Sequence, residues 1–260
     1  ALGAARSAPQ SLNGLRLLVV EDNPLNQQIA TELLTLCGAQ VHIASGGLEG
    51  VHTALAGDPP FDAILMDMQM PDIDGLEATR RLRAEPRMAD VPIIAMTANV
   101  MADDQQRCRA AGMVDHIGKP IDLQQLVQTI QRHTGGALAR AALVNAMATE
   151  EPTPAGGDTA ADATADGLVD IATAVARLGG SLVFYAKIAA AFGEQAEKQI
   201  ALARHAVQQA DWAKALISLH TLKGLAATIG AHTLAQSAYA SETHCRHLTQ
   251  SPPTLATDTD

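Results

Sequence analysis

Aromatic side chains are nearly missing from this 260-residue chain: three Phe, two Tyr and one Trp. Its cores must therefore be built mainly from Leu, Ile, Val, Ala and Met, within a composition that is 47% hydrophobic and 18% charged and so looks globular. Cysteine is also sparse. Cys37, Cys108 and Cys245 are odd in number, far apart and without a CxxC pair. That argues against a disulfide framework or a zinc knuckle and for reduced cytosolic thiols. No apolar run approaches the roughly 20 residues that span a bilayer. The opening ALGAARSAPQSLNG has no signal-peptide centre, so this segment is expected to make no membrane contact. It also lacks a starting Met, which suggests a piece of something longer. Clustered Lys and Arg are wanting too: 18 basic against 28 acidic residues leave a net charge of −10. That sign is wrong for neutralising phosphates, so no nucleic-acid partner is expected; basic proteins or bound cations suit it better.

What is present falls into two blocks. After a tail at 1–14, residues 15–133 alternate short apolar runs with segments of helical period. The runs are LRLLVV (15–20), VHIA (41–44), AILM (63–66), VPIIAM (91–96) and VDHI (114–117); the helical segments are 24–37, 46–56, 75–84, 100–111 and 122–132. Five strands alternating with five helices predict an α/β fold, a doubly wound five-stranded parallel sheet of flavodoxin-like type. Residues 134–167 follow as a linker, of which TEEPTPAGGDTAADATADG (149–167) is too small and polar to order itself. The stretch 137–148 could either extend the last helix or form its own. From 168 to 248 only helical spacing is found, at 170–178, 181–192, 194–209, 211–229 and 231–248, which predicts a separate all-α bundle; 249–260 is a C-terminal tail.

In an open parallel sheet, ligands sit at the carboxyl ends of the strands. Glu21 and Asp22 follow the first strand, Asp67 the third, Thr97 the fourth and Lys119 the fifth. Three carboxylates gathered at one edge repel one another unless a cation joins them, and hard oxygen donors favour Mg²⁺. Thr97 adds a hydroxyl, and Lys119 a point charge able to neutralise a transferring phosphoryl group.

With VVEDNPLN (19–26), ILMDMQMPDIDG (64–75), IIAMTAN (93–99) and IGKP (117–120), the first block resembles the receiver domain of bacterial response regulators. The resemblance implies that Asp67 is the phosphoacceptor and that Glu21 and Asp22 form the acidic pocket. It implies Mg²⁺ ligands in Asp22, Asp67 and the backbone carbonyl of Gln69, with Glu21 acting through water. It further implies phosphoryl contacts from Thr97 and Lys119, and a cis Lys119–Pro120 bond. At the switch position, where many members carry an aromatic, this chain has His116. The DNPLN stretch, with Asn26, looks most like receivers attached to hybrid sensor kinases.

In the second block, LHTLKGLAATIG (219–230) places His220, Lys223 and Gly224 at i, i+3 and i+4, on one helix face. A nucleophile, a cation and a space stand together. An interior glycine costs roughly 1 kcal/mol against alanine, and clearance for an approaching active site is a reason to accept it. His205, His232, His244 and His247 are expected to be ordinary solvated or core-edge histidines. SLHTLKGLAATIG (218–230), together with LGGSLVFYAKIAAAF (178–192), resembles a histidine phosphotransfer domain over about 168–248. That implies His220 as phosphoacceptor, supported by Lys223 and Gly224.

The two resemblances together imply a two-component phosphorelay segment. Asp67 would accept a phosphoryl group from the histidine of an upstream kinase core, in the same polypeptide or in trans. His220 would pass it to the receiver of a downstream response regulator. No ATP-binding kinase core is evident, so the preferred expectation is the C-terminal part of a hybrid sensor histidine kinase, cytoplasmic, with membrane and catalytic parts upstream. Two alternatives stand beside it: a free-standing relay or binding protein without a kinase, and a flavodoxin-like cofactor binder. A flexible linker gives an average reach of roughly 30 Å, enough for His220 to dock on the Asp67 pocket of its own chain.

Overall fold

A computed structural model describes residues 11–97, 102–146 and 169–250. Five strands, β1 (Arg16–Val20), β2 (Gln40–Ala44), β3 (Ala63–Asp67), β4 (Ile93–Thr97) and β5 (Asp115–Gly118), form one sheet in the order β2-β1-β3-β4-β5. All neighbours are parallel, with Val19 opposite Ile43 and Leu65, and Met66 opposite Ala95. Between them run α1 (Pro24–Leu36), α2 (Gly47–Ala56), α3 (Gly75–Arg83) and α4 (Ala102–Ala111), and α5 (Leu123–Ala146) follows the last strand. Because side chains alternate across a strand, β1 sends Leu17 and Val19 to a core shared with α1 and α5. Its Leu18 and Val20 go to a second core shared with α2, α3 and α4. The helices thus cover both faces, and the carboxyl ends of β1, β3, β4 and β5 meet at one edge. α5 continues to Ala146, so up to that residue the stretch 137–148 extends the last helix; the polar segment 149–167 lies outside the described residues.

The second unit consists of α6 (Ile171–Arg177), α7 (Leu182–Gln208), α8 (Trp212–Thr228) and α9 (His232–Gln250), with α8 packed against both α7 and α9. Asp170, Ser181 and Asp211 cap the first three of these by accepting from Thr173 N, Phe184 N and Lys214 N. Gly230 has φ +82°, and a β-carbon there would lie 2.3 Å from the Asp170 carbonyl oxygen, so only glycine fits the turn between α8 and α9. The break expected at Gly193 does not occur. α7 runs through it as one helix with Ile188, Ala196 and Ala203 buried along the same stripe, and packing of that stripe outweighs the roughly 1 kcal/mol cost of one interior glycine.

The bundle packs against the α1/α5 face of the sheet unit. One apolar cluster runs from Leu25, Ile29 and Leu33 of α1 and Leu126 of α5 to Phe184, Ile188, Leu225 and Ile229 of the bundle. At the turn before α7, a β-carbon on Gly179 would lie 2.8 Å from Leu123 Cδ2. Among the described residues, no single helix is long and apolar enough to cross a membrane.

Candidate functional site

Asp67 ends β3 in a strand whose residues are all buried, and is itself 4% exposed. Its neighbours are set by local capping. Asn23 starts α1 by accepting from Leu25 N at 2.9 Å and Asn26 N at 3.1 Å. That places the Asn26 amide to donate to Glu21 Oε1 at 2.9 Å, fixing the buried Glu21 carboxylate. In the segment after β3, Asp72 accepts from Gly47 N and Leu48 N at the start of α2, and Asp74 caps α3 through Glu77 N. Gly75 then passes so close that a β-carbon would sit 2.3 Å from the Asp67 carbonyl oxygen. The glycine of the PDIDG run is therefore a packing requirement of the site.

Carboxylate oxygens of Glu21, Asp22 and Asp67 lie within 4.8 Å of one another. Lys119, which follows β5, donates to Glu21 Oε2 at 2.6 Å and stands 2.9 Å from Asp67 Oδ2. The Lys119–Pro120 bond is cis. Thr97, the last residue of β4, accepts from Lys119 N through its carbonyl at 2.7 Å. Gln69 N donates to Asp67 Oδ1 at 3.3 Å, which holds the chain of Gln69 beside the acid.

One lysine serves three acids. Burial pushes the Asp67 carboxyl up to about 7, with Lys119 opposing the rise and Glu21 adding to it. Burial and the adjacent Glu21 likewise raise Asp22 to about 6. Burial alone would lower the Lys119 ammonium, but Asp67 and Glu21 more than reverse this and hold it above its ordinary range. A cluster of hard oxygen donors with uncompensated negative charge fits a divalent cation. His116 lies on β5 with its ring 3.5 Å from the Gln105 amide nitrogen.

His220 lies on α8, whose apolar stripe, Leu219, Leu222 and Leu225, is buried. The imidazole is not openly displayed: its side chain is 14% exposed and faces the sheet unit. Its Nδ1 is 3.2 Å from Glu242 Oε1 on α9. The same carboxylate accepts from Lys223 Nζ at 2.7 Å and Arg246 Nη2 at 2.9 Å. Lys223 also stands 5.4 Å over the Tyr239 ring. Burial alone would raise the Glu242 carboxyl, yet the bonds from His220 and Lys223 hold it at about 2. His220 is itself lowered, chiefly by burial, with Glu242 opposing and Lys223 and Lys119 adding to the shift. An ionised carboxylate only accepts, so the ring nitrogen facing it carries the proton. Nε2 of a neutral His220 is left with its lone pair, which is the form a nucleophile needs.

Sequence reasoning missed Glu242. Its signal was a carboxylate on the buried stripe of α9, between Ala238 and Cys245 at i−4 and i+3. Gly224 also differs from expectation. It faces the sheet unit, in a small void lined by Asn26, Ile29, Lys119, Pro120 and Ile121. A β-carbon there would meet nothing within 4 Å, so the docked structure leaves more room than glycine alone requires.

The two halves meet in a cleft of about 660 Å³. Met68, Gln69 and Thr97 line it from the sheet unit, and His220, Lys223 and Glu242 from the bundle. His220 thus opens into a space bordered by Thr97 and by Met68 and Gln69, the two residues that follow Asp67.

A parallel sheet with this strand-end set, joined to a helical bundle presenting a histidine, defines a receiver coupled to a phosphotransfer domain. The response regulator receiver domain family matches residues 17–131, and the Hpt domain family matches residues 187–257. The chain belongs to the response-regulator receiver family, with an Hpt domain following, and is a phosphorelay segment of a two-component system. It is 39% identical over 133 residues to the sensor protein GacS of Pseudomonas syringae pv. syringae, covering 50% of this chain and 14% of GacS. It is 36% identical over 121 residues to the polar-differentiation response regulator DivK of Brucella ovis, covering 46% of this chain and 97% of DivK. The chain therefore spans a small part of the length of GacS and nearly all of DivK. Among solved structures it is similar to the receiver domain of sensor histidine kinase PA1611 from Pseudomonas aeruginosa, crystallised with magnesium in its active-site cleft. That match has 40% identity and a TM-score of 0.44, over 47% of this chain and 98% of that one. It is also similar to the Saccharomyces cerevisiae complex of Ypd1 with the receiver domain of Ssk1, at 27% identity and a TM-score of 0.45, over 48% of this chain and 91% of that one.

Proposed function

We propose that Asp67 accepts a phosphoryl group from the histidine of a kinase core, and that His220 of the same chain takes it over and relays it to a downstream receiver. The observation that carries this reading is the shared cleft, lined by Thr97 and by Met68 and Gln69 next to Asp67 on one side and by His220 with Glu242 on the other. Asp22, Asp67 and the Gln69 carbonyl are the residues that would hold Mg²⁺, with Glu21 reaching it through water. When bound, the ion supplies charge neutralisation for the carboxylates and the phosphoryl oxygens. Lys119 and the Thr97 hydroxyl hold the remaining phosphoryl oxygens.

In the second step the Nε2 lone pair of His220 forms the N–P bond while the bond from phosphorus to the Asp67 oxygen breaks. Asp67 leaves as a carboxylate, which Lys119 neutralises. The Nδ1 proton stays on the ring, hydrogen-bonded to Glu242, so no proton has to move in the transfer. Lys223 turns from Glu242 to the new phosphohistidine.

The receiver is assigned to residues 15–133 and the phosphotransfer bundle to 168–248, with His116 at the receiver's switch position. The similarity to GacS supports placing the segment in a hybrid sensor histidine kinase acting on the cytoplasmic side.

Incubation of the chain with acetyl phosphate and Mg²⁺ tests the scheme. Base-labile label is expected on Asp67 and acid-labile label on His220. Asp67→Asn should remove both, and His220→Gln only the second. Receiver label that persists in Asp67→Asn would refute the assignment of Asp67.

A further inference from the structure

The surfaces that seat the bundle on the receiver are mostly apolar or small. Ile29, Pro120 and Ile121 face Gly224 and Thr228 across the small void, and Leu123 lies against Gly179. Contacts of this kind accept many receivers of similar shape, because they carry no element that rejects a wrong one.

One charged contact stands apart from them. Lys187 on α7 donates to the Glu32 carboxylate on α1, and Gln28 Nε2 holds the same Glu32 oxygen at 3.2 Å. Of the ion pairs between described residues, it is the only one that joins the sheet unit to the bundle. Neither residue lines the cleft that holds His220 and Thr97. Glu32 lies three residues after Ile29, one turn further along the docking face of α1. Lys187 directly precedes Ile188, which is fully buried in the core common to both units. The pair is thus fixed in place by apolar contact on both sides while remaining partly exposed, with side chains 60% and 30% accessible. A charge at such a rim governs which partner docks, and in what register, more than how tightly it binds.

We propose that Glu32 and Lys187 are the specificity-determining pair of this relay: they select the chain's own receiver as the phosphoryl donor to His220. A downstream receiver that takes the group from His220 then presents a carboxylate at the matching place on its first helix. This rests on the relay reading given above.

The test uses four combinations of intact chains. The donor carries Asp67→Asn and is loaded on His220 with phosphoramidate, with or without Lys187→Glu. The acceptor carries His220→Gln, with or without Glu32→Lys, and its Asp67 is the probe receiver. Each single charge reversal should slow transfer between chains, and reversing both charges together should restore it. The doubly reversed pair should be roughly two- to five-fold faster than either singly reversed combination, the range expected of a partly exposed ion pair. Reversal also opposes each chain's internal docking, which frees both faces and works in the same direction for the doubly reversed pair. Equal rates in all four combinations would overturn the proposal. Failure of label to pass in any of them would instead overturn the relay reading on which it rests.

Discussion

Replacing Glu242 should both destabilise the bundle and slow phosphoryl transfer, and the two effects are separable. The carboxyl is 2% exposed and held at about 2 against an ordinary 4.5. A difference of about 2.5 units, at roughly 1.4 kcal/mol each, makes its ionised form worth about 3 kcal/mol to the fold. That is an upper value, since part of the shift comes from a charged His220, and His220 is held toward its neutral form. A depressed acid contributes its stability above its unfolded pKa. The contribution is therefore complete above about pH 4.5 and is lost as pH falls from there towards 2. Glu242→Gln is nearly isosteric but cannot ionise. It should lower the unfolding free energy at pH 7 by up to about 3 kcal/mol, with the gap to the unaltered chain closing below pH 4.5. Urea unfolding followed through Trp212, the only tryptophan, reads the bundle directly, because Trp212 packs beside Ala203, Ala215 and Cys245. Glu242→Ala goes further and removes the acceptor that keeps the proton on Nδ1. Loss of a hydrogen bond to a charged group, about 1.5–3 kcal/mol, predicts transfer from Asp67 to His220 slower by about ten- to a hundred-fold. Unchanged transfer in Glu242→Ala, with a native Trp212 signal, would refute the claim that Glu242 orients the nucleophile.

Gly224→Ala should leave transfer intact and stabilise α8 by about 1 kcal/mol, because a β-carbon there meets nothing within 4 Å; Gly224→Gln should fill the void and block it, and equal rates for the two variants would remove the clearance argument. Gly75→Ala should abolish receiver labelling by acetyl phosphate, since its β-carbon would lie 2.3 Å from the Asp67 carbonyl oxygen. Mg²⁺ should raise the thermal midpoint of the receiver at pH 8 much more than at pH 5. Asp67 at about 7 and Asp22 at about 6 are raised acids, so the penalty of ionising them grows as pH rises from about 4 to 7, and the cation offsets it only where they are ionised. A midpoint shift independent of pH would contradict that account.

The receiver was legible because its pattern is local and repeated. Each strand is a short apolar run, the candidate site residues stand at the ends of these runs, and the sheet edge gathers them without any further information. Glu21, Asp67, Thr97 and Lys119 could be placed on one edge from spacing alone, and all are found there. What spacing could not show is how they are held. The hydrogen bond of Asn26 to Glu21 and the seat of Gly75 on the Asp67 carbonyl depend on the angle at which a helix leaves a strand. Periodicity carries no record of that angle.

The bundle was legible on α8 and nearly silent elsewhere. His220, Lys223 and Gly224 share a face at a spacing that any helix enforces, but their partner Glu242 comes from the next helix, 22 residues away. A contact between helices depends on their crossing, not on their sequence period. The break expected at Gly193 failed for a related reason: a weak local preference was overruled by a stripe that packs on both sides of it. Docking of the bundle on α1 was legible only as reach, since a linker read from composition allows many placements and favours none. What singles one out is surface chemistry: an apolar face continued by Phe184 and Ile188, bordered by Lys187 facing Glu32. Those residues are unremarkable on a helix considered alone. They acquire meaning only when α1 is brought against α7, which is why selectivity in this relay is written across two domains that are each incomplete descriptions of it.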